Sequence, residues 1–234
     1  MNLLDLAIVL IFGLLILTGF YRGFINTAAS VCACILSLVL ALLFMPLLST
    51  SISEQEDVYT MMQYYLEGSE YITDVEAARK NIVNVSSDEL DAIVTAAKLP
   101  YPLGNKIKNN VAKESFATLD IHTVGGYFNQ TMIDYCMNIL SFLILYLIIR
   151  IVFSLGIHGA DYARGFPVLL HSDGLIGAGV GLIRSLVVLF VVFTVIPIVL
   201  LVLPFDFIED TLLESFFGPF FYRSNFILSL IPAA

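Results

Sequence analysis

Four stretches of this sequence stay apolar over lengths that a soluble fold has little means to cover, and they limit what the chain can become. A bilayer core about 30 Å thick takes roughly 20 apolar residues in helical form, because every backbone polar group must find its partner inside the segment. The first stretch covers residues 3–20 and the second 27–48. The short connection holding Tyr21, Arg22, Gly23 and Asn26 makes them an antiparallel hairpin. The third covers 133–155, and the fourth lies within 174–203. At 1.5 Å per residue the fourth would be about 45 Å long, too long for one upright crossing. Two readings of the excess stand: one tilted helix kinked at Pro197, or an interfacial piece over 173–184 followed by a span over 185–203. The first stretch lacks a basic start and a small-residue cleavage site, so it reads as a span and not as a removable leader.

The expected fold class is an all-α integral membrane protein with four transmembrane helices and a helical insertion between the second and third. Hydrophobic residues make up 59% of the chain and charged residues 13%, a balance typical of the membrane class. The expected organisation is a transmembrane hairpin over 1–48, an acidic helical segment over 49–132, a second hairpin over 133–203 and an interfacial tail over 204–234. The net charge of −9 belongs mostly to the insertion, which carries twelve acidic residues against six basic ones. Positive charges favour the cytoplasmic side of short loops. Arg22 in the first loop and Arg150, Arg164 and Arg184 around the third place those loops inside. Both termini and residues 49–132 then lie outside the cell membrane.

The insertion reads as short amphipathic helices. Val58, Met61, Met62, Tyr65 and Leu66 recur at helical spacing, and Ser86 with Glu89 forms a capping box ahead of Leu90, Ile93 and Val94. A segment this small is poorly able to build a core alone, so its helices are expected to rest on the bundle or on the membrane surface. In the tail, Phe207, Ile208, Leu212, Phe216 and Phe217 alternate with acidic residues as in an interfacial helix. The final apolar run is too short to span.

Small residues mark two helix faces. Gly177, Gly181 and Ser185 recur every four residues in the fourth stretch, and Ala29, Ala33, Ser37 and Ala41 do so in the second. Such ridges let helix backbones approach closely, so the two are expected to pack on each other or to join two copies of the chain. Asp173, Gly177 and Arg184 share one helix face. A helix that begins at Asp173 would carry Arg184 about 16 Å along its axis. There it would need a partner, whereas at the inner surface it would reach phosphates and water. The second placement is preferred, because Arg22 and Arg150 also stand where apolar runs approach the inner face. Asp5 is the one carboxylate within the first run and Asp134 stands at the start of the third. Both are expected near the outer interface, reaching headgroup water in preference to forming a cation entry pair.

No cofactor and no metal are expected. Cys32, Cys34 and Cys136 sit in apolar runs without further ligands at metal spacing, and His158 with Asp161 or His171 with Asp173 lacks a third. Gly-rich phosphate loops, H-E-x-x-H and an activated serine are all missing, so no catalytic seat is visible. Eleven basic residues without a cluster argue against nucleic-acid binding.

The chain resembles the colicin V production protein, or CvpA, family of bacterial inner-membrane proteins. The resemblance lies in an early acidic residue and apolar helix ending in Arg-Gly-Phe, here Asp5 through Arg22, Gly23 and Phe24. It lies also in the Asp-x-x-x-Gly-x-x-x-Gly-x-x-Arg pattern of Asp173, Gly177, Gly181 and Arg184. The family usually has Gly after that arginine, where this chain has Ser185, and the long insertion resembles the form found in Gram-positive bacteria. The resemblance implies a multi-pass protein of the bacterial cytoplasmic membrane linked to toxin production or export and to envelope homeostasis, with no defined catalytic activity. The expected role is that of a non-enzymatic accessory or scaffold whose partners are membrane lipids and other membrane or envelope proteins, a second copy of this chain among them. A small channel or transporter is the alternative.

Overall fold

The computed structural model describes residues 2–159, 173–203 and 206–234. The regular elements of the described residues are helices, the α-helices running in the order α1 (Leu3–Ser53), α2 (Glu56–Tyr65), α3 (Val75–Arg79), α4 (Ser87–Ala96), α5 (Leu103–Ala112), α6 (Val124–Gly159), α7 (Asp173–Phe193), α8 (Ile196–Val202), α9 (Asp206–Glu214), α10 (Gly218–Arg223) and α11 (Phe226–Leu230). They contain no strand, only one isolated bridge between Asn81 and Thr123. Three stretches among them, Leu3–Ser53, Val124–Gly156 and Asp173–Val202, are long and apolar enough to cross a membrane. They leave large apolar side chains uncovered, among them Leu3, Leu10, Leu14, Leu147, Ile151 and, at 75% exposure, Leu175. That much exposed apolar surface is uncommon on a soluble monomer and suits a surface solvated by lipid.

A straight α1 would be about 75 Å long, but it is broken at Gly23, whose φ of 75° and ψ of 174° lie outside the helical region. A side chain at this φ is strained, so the break falls on the one residue type that tolerates it. Residues 3–22 and 24–53 are thus two arms. Asp173–Val202 is also interrupted. The helix runs without a break through Arg184, ends at Phe193 and resumes at Ile196. The two-piece reading with a boundary near Arg184 is therefore corrected. Pro197 supplies the cause: its ring excludes the carbonyl of Phe193 four residues back and it has no N–H to donate. The turns there are closed by the shorter bonds Thr194 N to Val191 O and Val195 N to Val192 O.

The chain forms two compact units. The first comprises Met1–Met45, Phe142–Val195 and Asp206–Ile227. Its tail helices are fixed to α7 and the first arm by aromatic rings: Phe221 lies 6.2 Å from Phe12 and 5.5 Å from Phe193, and Phe190 lies 5.4 Å from Phe226.

The second unit comprises Pro46–Ser141, Ile196–Phe205 and Leu228–Ala234. The Ser86 hydroxyl accepts the Glu89 N–H at 3.2 Å, as the capping pattern predicts, while the Glu89 carboxylate pairs with Lys80. That carboxylate raises the Lys80 pKa by its hydrogen bond and charge. The insertion has a buried core in which Leu90, Val94, Ile107 and Phe116 meet Val124, Tyr127 and Phe128 of α6. The sequence led us to expect helices resting on the bundle or on the membrane surface, and it did not foresee this shared core. A segment of this size gains enough core by borrowing the first turns of the long helix. The last residues of the chain complete it. The Lys106 ammonium donates to the carbonyls of Ser229 at 2.9 Å and Ile231 at 2.7 Å. The Asn110 amide donates to Ala233, and the Tyr135 hydroxyl to Leu228. Burial draws the Lys106 pKa below its ordinary value.

Lys106→Met keeps the aliphatic stem and removes both donors, leaving the Ile231 carbonyl without that partner. The variant is expected to lose about 1.5–3 kcal/mol of stability, the usual worth of hydrogen bonds to a charged group. Hydrogen exchange over residues 228–234 should rise in parallel, and unchanged exchange there would contradict the clamp.

Candidate functional site

The corner at Gly23 has a structural cost, because the break frees backbone donors on the second arm. One of them, the Phe24 N–H, is taken by the Asp173 carboxylate at 2.5 Å. Asp173 stands in the first turn of α7, so its charge also faces the positive end of that helix dipole. The Thr27 hydroxyl donates to the Gly23 carbonyl at 2.7 Å and reaches the Gly19 carbonyl at 3.3 Å. In a straight helix Thr27 and Gly19 would be about 12 Å apart along the axis, so the corner is sharp. The Asn26 amide donates to the Arg22 carbonyl at 3.2 Å. Arg22 itself is exposed.

Beyond the corner, α7 lies directly on the first arm. The atoms nearest to Gly177 belong to Gly19 and Gly23, and those nearest to Gly181 to Leu15, Ile16 and Gly19. A methyl group on Gly181 would come within 2.8 Å of the Leu15 carbonyl oxygen, and one on Gly19 within 3.1 Å of the Gly181 Cα. The Gly177 and Gly181 face thus meets the first arm at backbone distance, not the alanine ridge as its nearest neighbour. In that ridge Ala33, Ser37 and Ala41 are buried and Ala29 is half-buried, and the Ser37 hydroxyl returns to the Ala33 carbonyl. Ser185 is buried and its hydroxyl donates to Leu182 at 2.6 Å. Gly19 escaped the sequence reading, although Gly19 and Gly23 stand four residues apart like Gly177 and Gly181. The signal was present but shorter than the ridges that drew attention.

Asp5 is fully buried. Its carboxylate accepts the Ser215 hydroxyl at 2.5 Å, the Phe217 N–H at 3.1 Å and the Asn2 N–H at 3.1 Å. The Asn2 amide donates in turn to the Thr211 carbonyl. This carboxylate joins the start of α1 to the α9–α10 turn and does not reach outward. Asp134 in the second unit accepts the Gln130 amide at 2.8 Å, and Gln130 accepts the Tyr59 hydroxyl.

Two arginines stand apart from this pattern. Arg150 donates through one Nη to the Ser30 hydroxyl at 2.9 Å, while its other Nη is buried without a partner among the described residues. The Nε of Arg184 is likewise buried and unpartnered among them. Arg184 lies within electrostatic reach of Arg150, Arg22, Cys34 and Tyr146. The Cys34 thiol and Tyr146 hydroxyl are 3.0 Å apart.

Arg164, Asp161, His171 and Ser172 lie outside the described residues, as does the side chain of His158. Among the described residues no three His, Cys, Asp or Glu side chains gather as metal ligands. Cys32, Cys34 and Cys136 are free thiols.

Among the described residues, helices with no strand and three long apolar stretches, closed by a glycine corner and a carboxylate, are compatible with a membrane protein. Residues 4–73 are similar to the model of the family described as Colicin V production protein. The match contains Asp5, Arg22, Gly23 and Phe24 and stops within the insertion. No curated protein and no solved structure matches the chain. The second motif, from Asp173 to Arg184, lies beyond the matched residues but touches the first directly through the Asp173 contact with Phe24.

Gly13 and Gly19 provide a matched pair, since a methyl group on Gly13 meets nothing within 4 Å. Gly13→Ala should be neutral or add up to about 1 kcal/mol of stability through helix propensity. Gly19→Ala should cost about 1–3 kcal/mol through overpacking. Thermal unfolding in detergent reads both, and equal midpoints for the two variants would refute the close contact. Asp173→Ala should lose about 1–3 kcal/mol by stranding the Phe24 N–H, with Asp173→Asn losing less.

Proposed function

We propose that this chain is a non-enzymatic accessory or scaffold protein of the bacterial cytoplasmic membrane, with a CvpA-like role in toxin production or export and envelope homeostasis. The observation that carries the reading is the use made of the acids and glycines of the two motifs and of their neighbours Thr27 and Gly19. Asp5, Asp173, Thr27, Gly19, Gly177 and Gly181 are all engaged in holding helices to one another. Residues committed to internal packing build a platform and are poorly placed to turn over a substrate.

In this reading the two arms of α1 cross the bilayer as a hairpin, and α6 and the Asp173–Val202 stretch supply the third and fourth crossings. The arms over 3–22 and 24–53 each reach the length of about 20 residues that a crossing needs. Arg22, exposed beside the corner, marks the cytoplasmic side. The insertion and both termini face outward, where the insertion offers exposed Tyr64 and Val83 to an envelope partner. The family match at residues 4–73 supports the CvpA-like role, and the exposed apolar belt supports the membrane.

A photo-crosslinking residue in place of Tyr64 or Val83 in living cells is expected to capture a membrane or envelope protein, whereas one at Tyr21 is expected to capture cytoplasmic or inner-face components. Reconstituted liposomes are expected to show no solute flux above that of empty vesicles. A reproducible flux that disappears with Arg184→Ala would replace the scaffold by the channel reading.

A further inference from the structure

Two buried arginine nitrogens in the first unit, on Arg150 and Arg184, break the rule that its polar groups are spent on packing. Arg150 comes from α6, Arg184 from α7, and Ser30 and Cys34 from the second arm of α1, so three helical segments converge on one spot. An unpaired charge inside a helix bundle costs several kcal/mol unless an opposite charge answers it. Arg150, Arg22, Cys34 and Tyr146 lie within electrostatic reach of Arg184, two of them further cations. Asp173, the acid at the start of the same helix, is held by the Phe24 N–H. Among the described residues one nitrogen of each guanidinium, Nη1 of Arg150 and Nε of Arg184, is buried and unpartnered, although the other Nη of Arg150 donates to the Ser30 hydroxyl. Side chains on a helix lean toward its N-terminus, which tilts Arg184 toward the Arg22 end of α7.

We infer that Arg150 and Arg184 form a binding site for a phosphate-type oxyanion, supplied either by free phosphate or by the phosphate of an anionic lipid headgroup. Guanidinium groups suit this class because their planar N–H edges match two oxygens at once, and a tetrahedral anion can accept from two arginines on separate helices. Arg22 adds long-range attraction from the rim, and the Tyr146 hydroxyl adds a neutral polar neighbour. A bound oxyanion would tie α6, α7 and the second arm together by charge. The site goes beyond the scaffold reading and stands or falls without it.

Full-length protein is placed in nanodiscs of an uncharged galactolipid. One arm adds radiolabelled inorganic phosphate and measures uptake by equilibrium dialysis; the other adds phosphatidylglycerol and counts bound lipid by native mass spectrometry. Binding in the first arm assigns a free anion and binding in the second alone assigns a headgroup. Either supports the site if Arg150→Gln and Arg184→Gln each weaken binding at least tenfold, with the lysine variants weakened less. Absence of binding in both arms, or glutamine variants that bind as tightly as the parent, overturns it. Should a glutamine variant fail to fold, phenylglyoxal labelling of the unaltered protein decides instead. The bound probe must protect Arg150 and Arg184 while leaving exposed Arg223 reactive, and a lack of such protection overturns the site. Liposome flux is a separate readout, so a failure of the scaffold reading is distinguishable from a failure of this one.

Discussion

Everything in the first unit depends on the approach of two backbones, α7 against the first arm of α1, with glycine on both sides. A Cβ on either Gly19 or Gly177 would fall on the other's carbonyl oxygen, so without side chains between them dispersion and dipole interactions act at short range. In lipid, where apolar burial drives helix association weakly, such contact is a main source of helix pairing. The corner at Gly23 is a consequence as much as a cause. It brings Phe24 to Asp173, so that the donor freed by the break is answered by the residue that opens the facing helix. Either half of this arrangement alone would be costly: a broken helix with a stranded N–H, or an acid with nothing to bind.

The second unit solves a different problem. Its short helices carry too little apolar surface to stand alone, and they obtain a core by closing over Val124, Tyr127 and Phe128 of α6. The end of the chain is held against them by Lys106, Asn110 and Tyr135 through carbonyls that have no helix to use them. Backbone bonding here replaces the apolar area that a larger domain would have.

Against this economy, Arg150 and Arg184 are conspicuous. Asp5 shows how the same fold treats a charge it needs internally, surrounding the carboxylate with the Ser215 hydroxyl and the Phe217 and Asn2 N–H groups. Among the described residues, Nη1 of Arg150 and Nε of Arg184 are buried with no hydrogen-bond partner. The contrast between this satisfied acid and these unanswered donors is the basis of the proposed oxyanion site.

By itself the sequence determined the helical class, the apolar stretches and the residues that matter at the corner, since hydropathy and glycine spacing are local properties that need no partner to be read. It also located the insertion helices α2 and α4, whose periodicity and Ser86 cap are local as well. Only the tertiary structure decided which ridge meets which, because Gly177 can accept any close backbone and the Gly19–Gly23 pair competed with a longer run of alanines. The start of α6 at Val124, ahead of residue 133, was hidden for a related reason. Asn129, Gln130 and Thr131 look like loop residues until Ser69, Tyr59 and Asn110 are found bonded to them. The break after Phe193 follows from Pro197, yet the sequence left it beside a second reading at Arg184, since a charge and a proline can each end an apolar helix and only packing shows which did.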